Sequence, residues 1–213
     1  MKLQARFLVL LIAIFSGVAG LLFIQHQLNL DRTDTLLVSE SQQRKEYLNS
    51  IVRLEGASLK TFSDDYSFWD EMAAFVKSKN PTFAKQNIDS GLETFNADAA
   101  WVYSPTGSLV YSTVSGIGKQ VGTLQTPKKL LEEISSKKSI HFYKQTPAGV
   151  IEIRATTIVP SADRTHSTPA QGYWLVGRLL NADYSNSISD LTKSAVKVNT
   201  QVNPVGTNIN GSL

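Results

Sequence analysis

The sequence predicts an α+β domain on a five-stranded antiparallel sheet, preceded by a long N-terminal helix that continues from a single transmembrane helix. Three observations predict it. Residues 7–24 are apolar except for Ser16. Between Gln25 and Phe62 there is no proline, and Gly56 is the only glycine. From Ala99 onward the helical spacing of apolar residues gives way to short β-rich runs separated by turn residues. Strands joined by hairpins, with helices segregated to one side, form a sheet that buries one face beneath the helices and can keep a cavity there.

The run at 7–24 reads FLVLLIAIFSGVAGLLFI, and about 20 apolar residues cross a bilayer core. Gly17-Val18-Ala19 also offers a small-residue site of the kind that ends a cleaved signal peptide. The run continues through Leu21-Leu22-Phe23-Ile24, where a signal peptide turns polar, so it reads as an uncleaved anchor. Lys2 and Arg6 precede it without an acid, whereas Asp31, Arg32 and Asp34 follow. That bias places residues 1–6 in the cytoplasm and the rest beyond the span. The expected location is the inner (cytoplasmic) membrane, with the main domain periplasmic or otherwise extracytoplasmic.

Residues 25–62 read as a helical stalk, about 50 Å long from Leu28 to Phe62 at 1.5 Å per residue. Leu30, Leu37 and Ile51 share one heptad position, interrupted by Arg44, while Leu48 and Phe62 share another, broken by Asp34, Ser41 and Glu55. Two expectations follow from this partial seam: a helix lying against its own domain, and a stalk that pairs with a second copy as a homodimer.

Residues 63–198 form the predicted main domain. Phe68, Met72, Phe75 and Val76 recur at helical spacing, and Asn80-Pro81 ends that helix. Thr82–Ile88 adds a short turn of helix. Residues 99–103 and 109–111 flank Ser104-Pro105-Thr106-Gly107 as a hairpin. Thr126 then caps a helix through Ile134, with Pro127 at its first position. Strands follow at 139–145, 150–159 and 172–179, then a helix over 181–193 and a short extended run at 195–198. In the middle strand Ile151, Ile153 and Ala155 alternate with Glu152, Arg154 and Thr156.

Composition excludes several functions. With no cysteine there is no disulfide framework, thiol nucleophile or Cys-ligated zinc. His26, His141 and His166 lie far apart, so no short histidine metal motif exists, and no cofactor is expected. The net charge of +3 is too small to argue for nucleic acid. Gly116-Ile117-Gly118-Lys119 lacks the spacing of a phosphate loop, and no nucleophile-elbow sequence supports hydrolysis. A catalytic role is therefore not expected. Charge is unevenly spread: residues 64–98 carry seven acids against three lysines, a balance of −4, and residues 127–213 carry ten Lys or Arg against six acids, +4. These halves meet each other or a ligand.

Candidate ligand-binding residues fall in two groups. Asp65, Tyr66, Trp69 and Asp70 form the first; at spacings of 4 and 5, Asp65, Trp69 and Asp70 fall near one helical face. Rings beside carboxylates suit a cationic ligand; the structural alternative, which cores and helix starts favour, is that Trp69 fills the core and Asp65 caps the helix or pairs with a sheet arginine. The second group is Arg154 and Arg178, on separate strands, the latter sharing a face with Trp174, with Tyr143 beside His141 on a third strand. Two converging guanidinium groups select a carboxylate or phosphate. A partner-binding domain without a small-molecule pocket is the alternative.

Asp65-Tyr66-x-x-Trp69-Asp70, then Phe75-Val76 and Asn80-Pro81, then Val102-Tyr103-x-Pro105-x-Gly107-x-Leu109-Val110-Tyr111, and a late Gly172-x-Trp174-Leu175-Val176-Gly177-Arg178-Leu179-Leu180 resemble the CHASE domains of the fourth class, extracellular sensor modules of bacterial and archaeal receptors. Phe83 and Pro160 match as well, so the likeness spreads over about residues 62–198. It implies a PAS-like or Cache-like fold, a small-molecule ligand, and an output module beyond a second transmembrane helix: a histidine kinase, a GGDEF or EAL cyclic-di-GMP enzyme such as a diguanylate cyclase, or a chemotaxis transducer. Residues 199–213, NTQVNPVGTNINGSL, hold neither charge nor apolar run and read as a polar tail or truncation point.

Overall fold

The computed structural model describes the backbone of residues 2–122, 124, 126–163 and 165–198, and the side chains of these apart from 2–7, 9, 10, 12, 27–38, 117 and 120. The tail read over 199–213 lies outside the described residues, as do the side chains of Leu30, Asp34 and Leu37 of the heptad seam. So do the side chains of Phe7, Val9, Leu10 and Ile12 of the expected membrane span. Among the described residues no helix is long and apolar enough to cross a membrane. The chain divides into two units, 1–49 and 50–213.

Helix α1 spans Lys2–Ser67. In the first unit its exposed surface carries local pairs, Gln42 with Glu46 (2.9 Å) and Arg44 with Glu40 (2.7 Å). In the second unit Leu59, Phe62, Ser63 and Ser67 are buried, so this part of α1 lies against its own domain. The helix runs on past Phe62. Trp69 is extended, at φ −131° and ψ 119°, and α2 begins at Asp70 (Asp70–Ser78). Asp65, Trp69 and Asp70 therefore do not share one helical face, contrary to their spacing. No proline or glycine marks the break; Phe68 leaves the helix to form a parallel bridge with Val159.

Asn80-Pro81 ends α2 as expected, and Asn80 also caps the next helical stretch, its side chain accepting from the Thr82 and Phe83 N–H groups (2.9 and 3.4 Å), with Pro81 at the first position. That stretch comprises α3 (Pro81–Phe83), a π-helical turn (Ala84–Asp89) and α4 (Ser90–Thr94). Gly91 is needed there, because an added Cβ would lie 2.7 Å from Phe62 Cζ.

Strands β1 (Ala99–Tyr103), β2 (Leu109–Val114), β3 (Ser139–Thr146), β4 (Gly149–Ile158) and β5 (Gly172–Leu179) form a five-stranded sheet in the order β2-β1-β5-β4-β3. Every neighbouring pair is antiparallel. The α+β class and the strand number are those the sequence predicts. The β1–β2 turn is the Ser104–Gly107 turn, with Gly107 at φ +84° and its would-be Cβ 2.5 Å from Leu131 Cδ1. Helix α5 (Lys128–Lys137) takes Pro127 as its N-cap, without a side-chain cap bond, and not Thr126. Helix α6 (Ala182–Thr192) is capped by Asn181, whose side chain accepts from Tyr184 N–H at 2.9 Å. Residues 195–198 are not a strand.

Alternation along the strands divides the core in two. Ala100, Val102, Ile158, Trp174 and Val176 pack with Leu59, Phe62, Met72, Phe75 and Ile88 on the α1 face. Trp101, Ile151, Ile153, Ala155 and Leu175 pack with Leu131 and Ile134 of α5 on the opposite face. The helices are thus not segregated to one side. The reason is visible in β1 and β5, which are buried along their whole length: both faces are apolar, so both require cover.

Candidate functional site

The strand registers bring the candidate sheet residues onto the face covered by α1. Arg178 pairs with Glu152 across β4 and β5, Arg154 with His141 and Glu152 with Tyr143 across β3 and β4. Side chains at these positions alternate in phase with Trp174, so one strand face carries the tryptophan at one end and a charged cluster at the other.

Glu152 is the hub of that cluster. Its Oε2 accepts from Arg178 Nη2 at 3.2 Å, and its Oε1 lies 3.0 Å from His141 Nε2 and 3.8 Å from Arg154 Nη2. Arg178 also donates to the Glu55 carbonyl of α1 at 2.8 Å and lies 5.5 Å over the Tyr184 ring of α6. The Glu152 and Arg178 side chains are only 6% and 4% exposed; Arg154 is 20% exposed and His141 37%. The cluster is therefore closed at Arg178 and open at His141 and Arg154. Both arginine Nε atoms are buried without a hydrogen-bond partner.

The electrostatics follow this burial. Burial opposes ionisation of Glu152, but hydrogen bonds from His141 and Arg178 and the charge of Arg178 outweigh it and hold its carboxyl below the ordinary 4.5. Burial and the nearby Glu152 charge raise the Tyr143 hydroxyl, and burial pushes Tyr184 to about 12. Both phenols remain neutral.

The first candidate group is split between core and joint. Tyr66 stacks on Trp174 (centroids 5.4 Å, 17° between planes) and donates its hydroxyl to the Asn87 carbonyl at 2.9 Å. Trp174 is fully buried, and its Nε1 donates to the Phe62 carbonyl at 3.3 Å. Trp69 packs edge-on to Tyr66 at 5.1 Å and against Phe83 at 5.2 Å. Asp65 is exposed on α1. Asp70 exchanges two hydrogen bonds with Ser161, N–H to Oγ at 3.1 Å and Oδ1 from N–H at 3.0 Å. The ring faces that suited a cation are thus occupied by one another.

Sequence reasoning placed Glu152 on the right face but did not assign it a role. The signal was available: an acid alternating in phase with an inward arginine requires a buried partner. Glu55 and Tyr184 gave no such signal, since they arrive from distant elements. The acidic front does not ion-pair with the basic half among the described residues; the pairs are local to helices or centred on Glu152. The two halves meet through hydrogen bonds, such as Asp98 Oδ2 accepting from Leu179 N–H at 2.8 Å. A surface groove of about 580 Å³ between the β1–β2 turn and α5, lined by Thr106, Leu131 and Tyr173 among others, contains none of the candidate residues. Among the described residues no group of three or more His, Asp or Glu is placed to hold a metal ion.

Comparison with known proteins agrees with this architecture. The model of the CHASE4 domain matches residues 51–199. The "Methanogenesis regulatory histidine kinase FilI" of Methanothrix harundinacea (strain 6Ac) is 26% identical over 145 residues, which is 64% of this chain and 16% of that protein. The chain thus spans about one sixth of that relative's length. The crystal structure of the periplasmic domain of Vibrio cholerae LuxQ superposes with a TM-score of 0.51 at 14% identity, covering 78% of this chain and 82% of that one. That likeness shows the fold, a PAS-like or Cache-like α+β sheet.

Proposed function

Because the chain belongs to the CHASE4 domain family, we propose that residues 51–199 are the extracytoplasmic input domain of a membrane signal-transduction receptor and do no chemistry themselves. Residues 7–24 anchor it in the cytoplasmic membrane by one N-terminal span, and the N-terminal helix pairs with a second copy. The output resides in a histidine kinase, a cyclic-di-GMP enzyme or a chemotaxis transducer, and the histidine kinase relative supports the first.

The ligand in this reading is a small carboxylate or phosphate that binds at the open side of the Glu152 cluster. The single observation carrying it is that two guanidinium groups share one carboxylate, while Arg154 keeps a 20% exposed side chain and a buried Nε without a partner. A ligand oxyanion would take Arg154 from Glu152, of whose two arginines it is the more distant, at 3.8 Å against 3.2 Å for Arg178. Since α1 contributes the Glu55 carbonyl to the same cluster, rearrangement there favours a different position of α1. A ligand shifts such an equilibrium only by binding the two arrangements unequally.

Thermal denaturation against a panel of small carboxylates and phosphate tests this, because binding raises apparent stability. At least one anion raises the midpoint in the wild type and has no effect on Arg154→Gln. A panel without any effect favours the second reading, a partner-binding domain, which the filling of both sheet faces supports.

A further inference from the structure

Where α1 ends, the segment after β4 takes hold of it, and the geometry points to a proton-operated latch: neutral His166 keeps the β4–β5 connection on the α1–α2 junction, and protonation of His166 releases it. Three contacts build the latch. Val159 N–H donates to the Ser67 carbonyl at 2.9 Å beside the Phe68–Val159 bridge. Asp70 and Ser161 exchange their two hydrogen bonds. The His166 ring packs against Phe68 with centroids 4.5 Å apart, while its Nδ1 pairs with the Thr157 hydroxyl of β4.

The connection is shaped to put that ring in place. His166 is buried and adopts φ +50°, a conformation that non-glycine residues rarely take. Asp163 fixes the turn beneath it: its carboxylate accepts from the N–H groups of Ser167 and Thr168 at 2.9 and 2.7 Å and from both hydroxyls, and its carbonyl accepts from His166 N–H. Asp163 thus holds the backbone that carries the ring.

A charge on His166 conflicts with these surroundings. Phe68 from α1 offers only a ring, and Thr157 offers a hydroxyl that pairs with Nδ1 but brings no countercharge. Burial is the largest influence and disfavours the imidazolium. Lys138, at the α5–β3 connection, acts in the same direction, whereas Asp163 on the same loop and Asp64 on α1 oppose it. The balance leaves the ring below its ordinary 6.5. The released ring takes up a proton more readily than the latched one, so acidification below about 6.5 shifts the population toward release. The latch is independent of the anion site, which lies at the other end of the contact between α1 and the sheet.

The absence of native cysteine allows a clean test. Spin labels on Ala74→Cys and Ala162→Cys, both at exposed positions, report the separation of α2 from the β4–β5 connection in the full chain in detergent micelles. Between about pH 8 and about pH 5 the wild-type background goes from one narrow distance distribution to a longer and broader one, and H166Q stays narrow throughout. The His166 imidazole, followed by nuclear magnetic resonance, titrates below its ordinary value. Distances independent of pH, or changing equally in H166Q, overturn the latch. Should H166Q not fold, T157V takes its place: loss of the hydroxyl moves release to higher pH, and an unmoved midpoint overturns the proposal as well.

Discussion

Strand β5 presents Trp174 and Arg178 on the same face, four residues apart, and both hold α1. Trp174 does so by burial: its ring stacks on Tyr66, meets Phe62 at 5.2 Å, and its Nε1 reaches the Phe62 carbonyl. Arg178 does so by charge, bonding the Glu55 carbonyl while Glu152 neutralises it. Apolar contact changes little with pH or ions, whereas a buried ion pair holds only while each partner keeps its charge and its counterion. The aromatic end therefore holds α1 without relying on charge, whereas the charged end holds it only while Glu152 and Arg178 stay ionised.

The largest expected effect breaks the aromatic end. Trp174→Ala removes a fully buried ring and costs about 3–5 kcal/mol in denaturant unfolding; a loss below about 1 kcal/mol would show that α1 is held elsewhere. Glu152→Ala comes next, at about 3 kcal/mol, because it leaves two arginines without their shared counterion. Changing Glu152 and Arg178 together to methionine should restore most of that loss, which separates the penalty of a stranded charge from the worth of the pair.

Acid distinguishes the two ends without large structural change. The Glu152 carboxyl titrates below 4.5, so its stabilising contribution is complete above that value and disappears as pH falls through its lower folded-state pKa. The unfolding midpoint of Glu152→Gln should thus lack part of the wild-type decline below that pH, while Trp174→Ala retains it. An identical acid limb in both variants would remove Glu152 from the account.

The smallest effect sharpens the comparison at α1 itself. A Cβ on Gly56 would meet Glu152 Oε1 at 3.6 Å and Arg154 Nη2 at 3.8 Å, ordinary contact distances. Gly56→Ala should therefore raise stability by about 0.5–1 kcal/mol through helix propensity. The same methyl narrows the space beside Arg154, so any anion-induced thermal shift should shrink in this variant even as the domain becomes more stable.

How far the sequence could be read depended on whether the cause was local. The helix break at Asn80-Pro81, the Ser104–Gly107 turn and the alternation of Ile151, Ile153 and Ala155 with Glu152, Arg154 and Thr156 each follow from neighbours a few residues away. The break at Phe68-Trp69 did not, because its partner is Val159, and no turn residue announces it. The run at 195–198 has strand-like residues but is not a strand. The site was half legible: two arginines on separate strands were candidates for one site, with a ligand or the helical acids as their partner, but the counterion they share is Glu152 of β4.

By itself the sequence determined the α+β class, the five strands and their in-and-out pattern, since backbone propensity and a two-residue period act over a few residues. It also singled out Arg154, Arg178 and Trp174, since charge and ring size are properties of single residues. Only the tertiary structure decided that α5 covers the second face, that Tyr66 and Trp174 occupy each other's ring faces, and that Glu152, Arg154 and Arg178 share one cluster with Glu55. Those outcomes depend on which strand lies beside which, and strand order is settled by long-range pairing and burial that no short window of sequence contains.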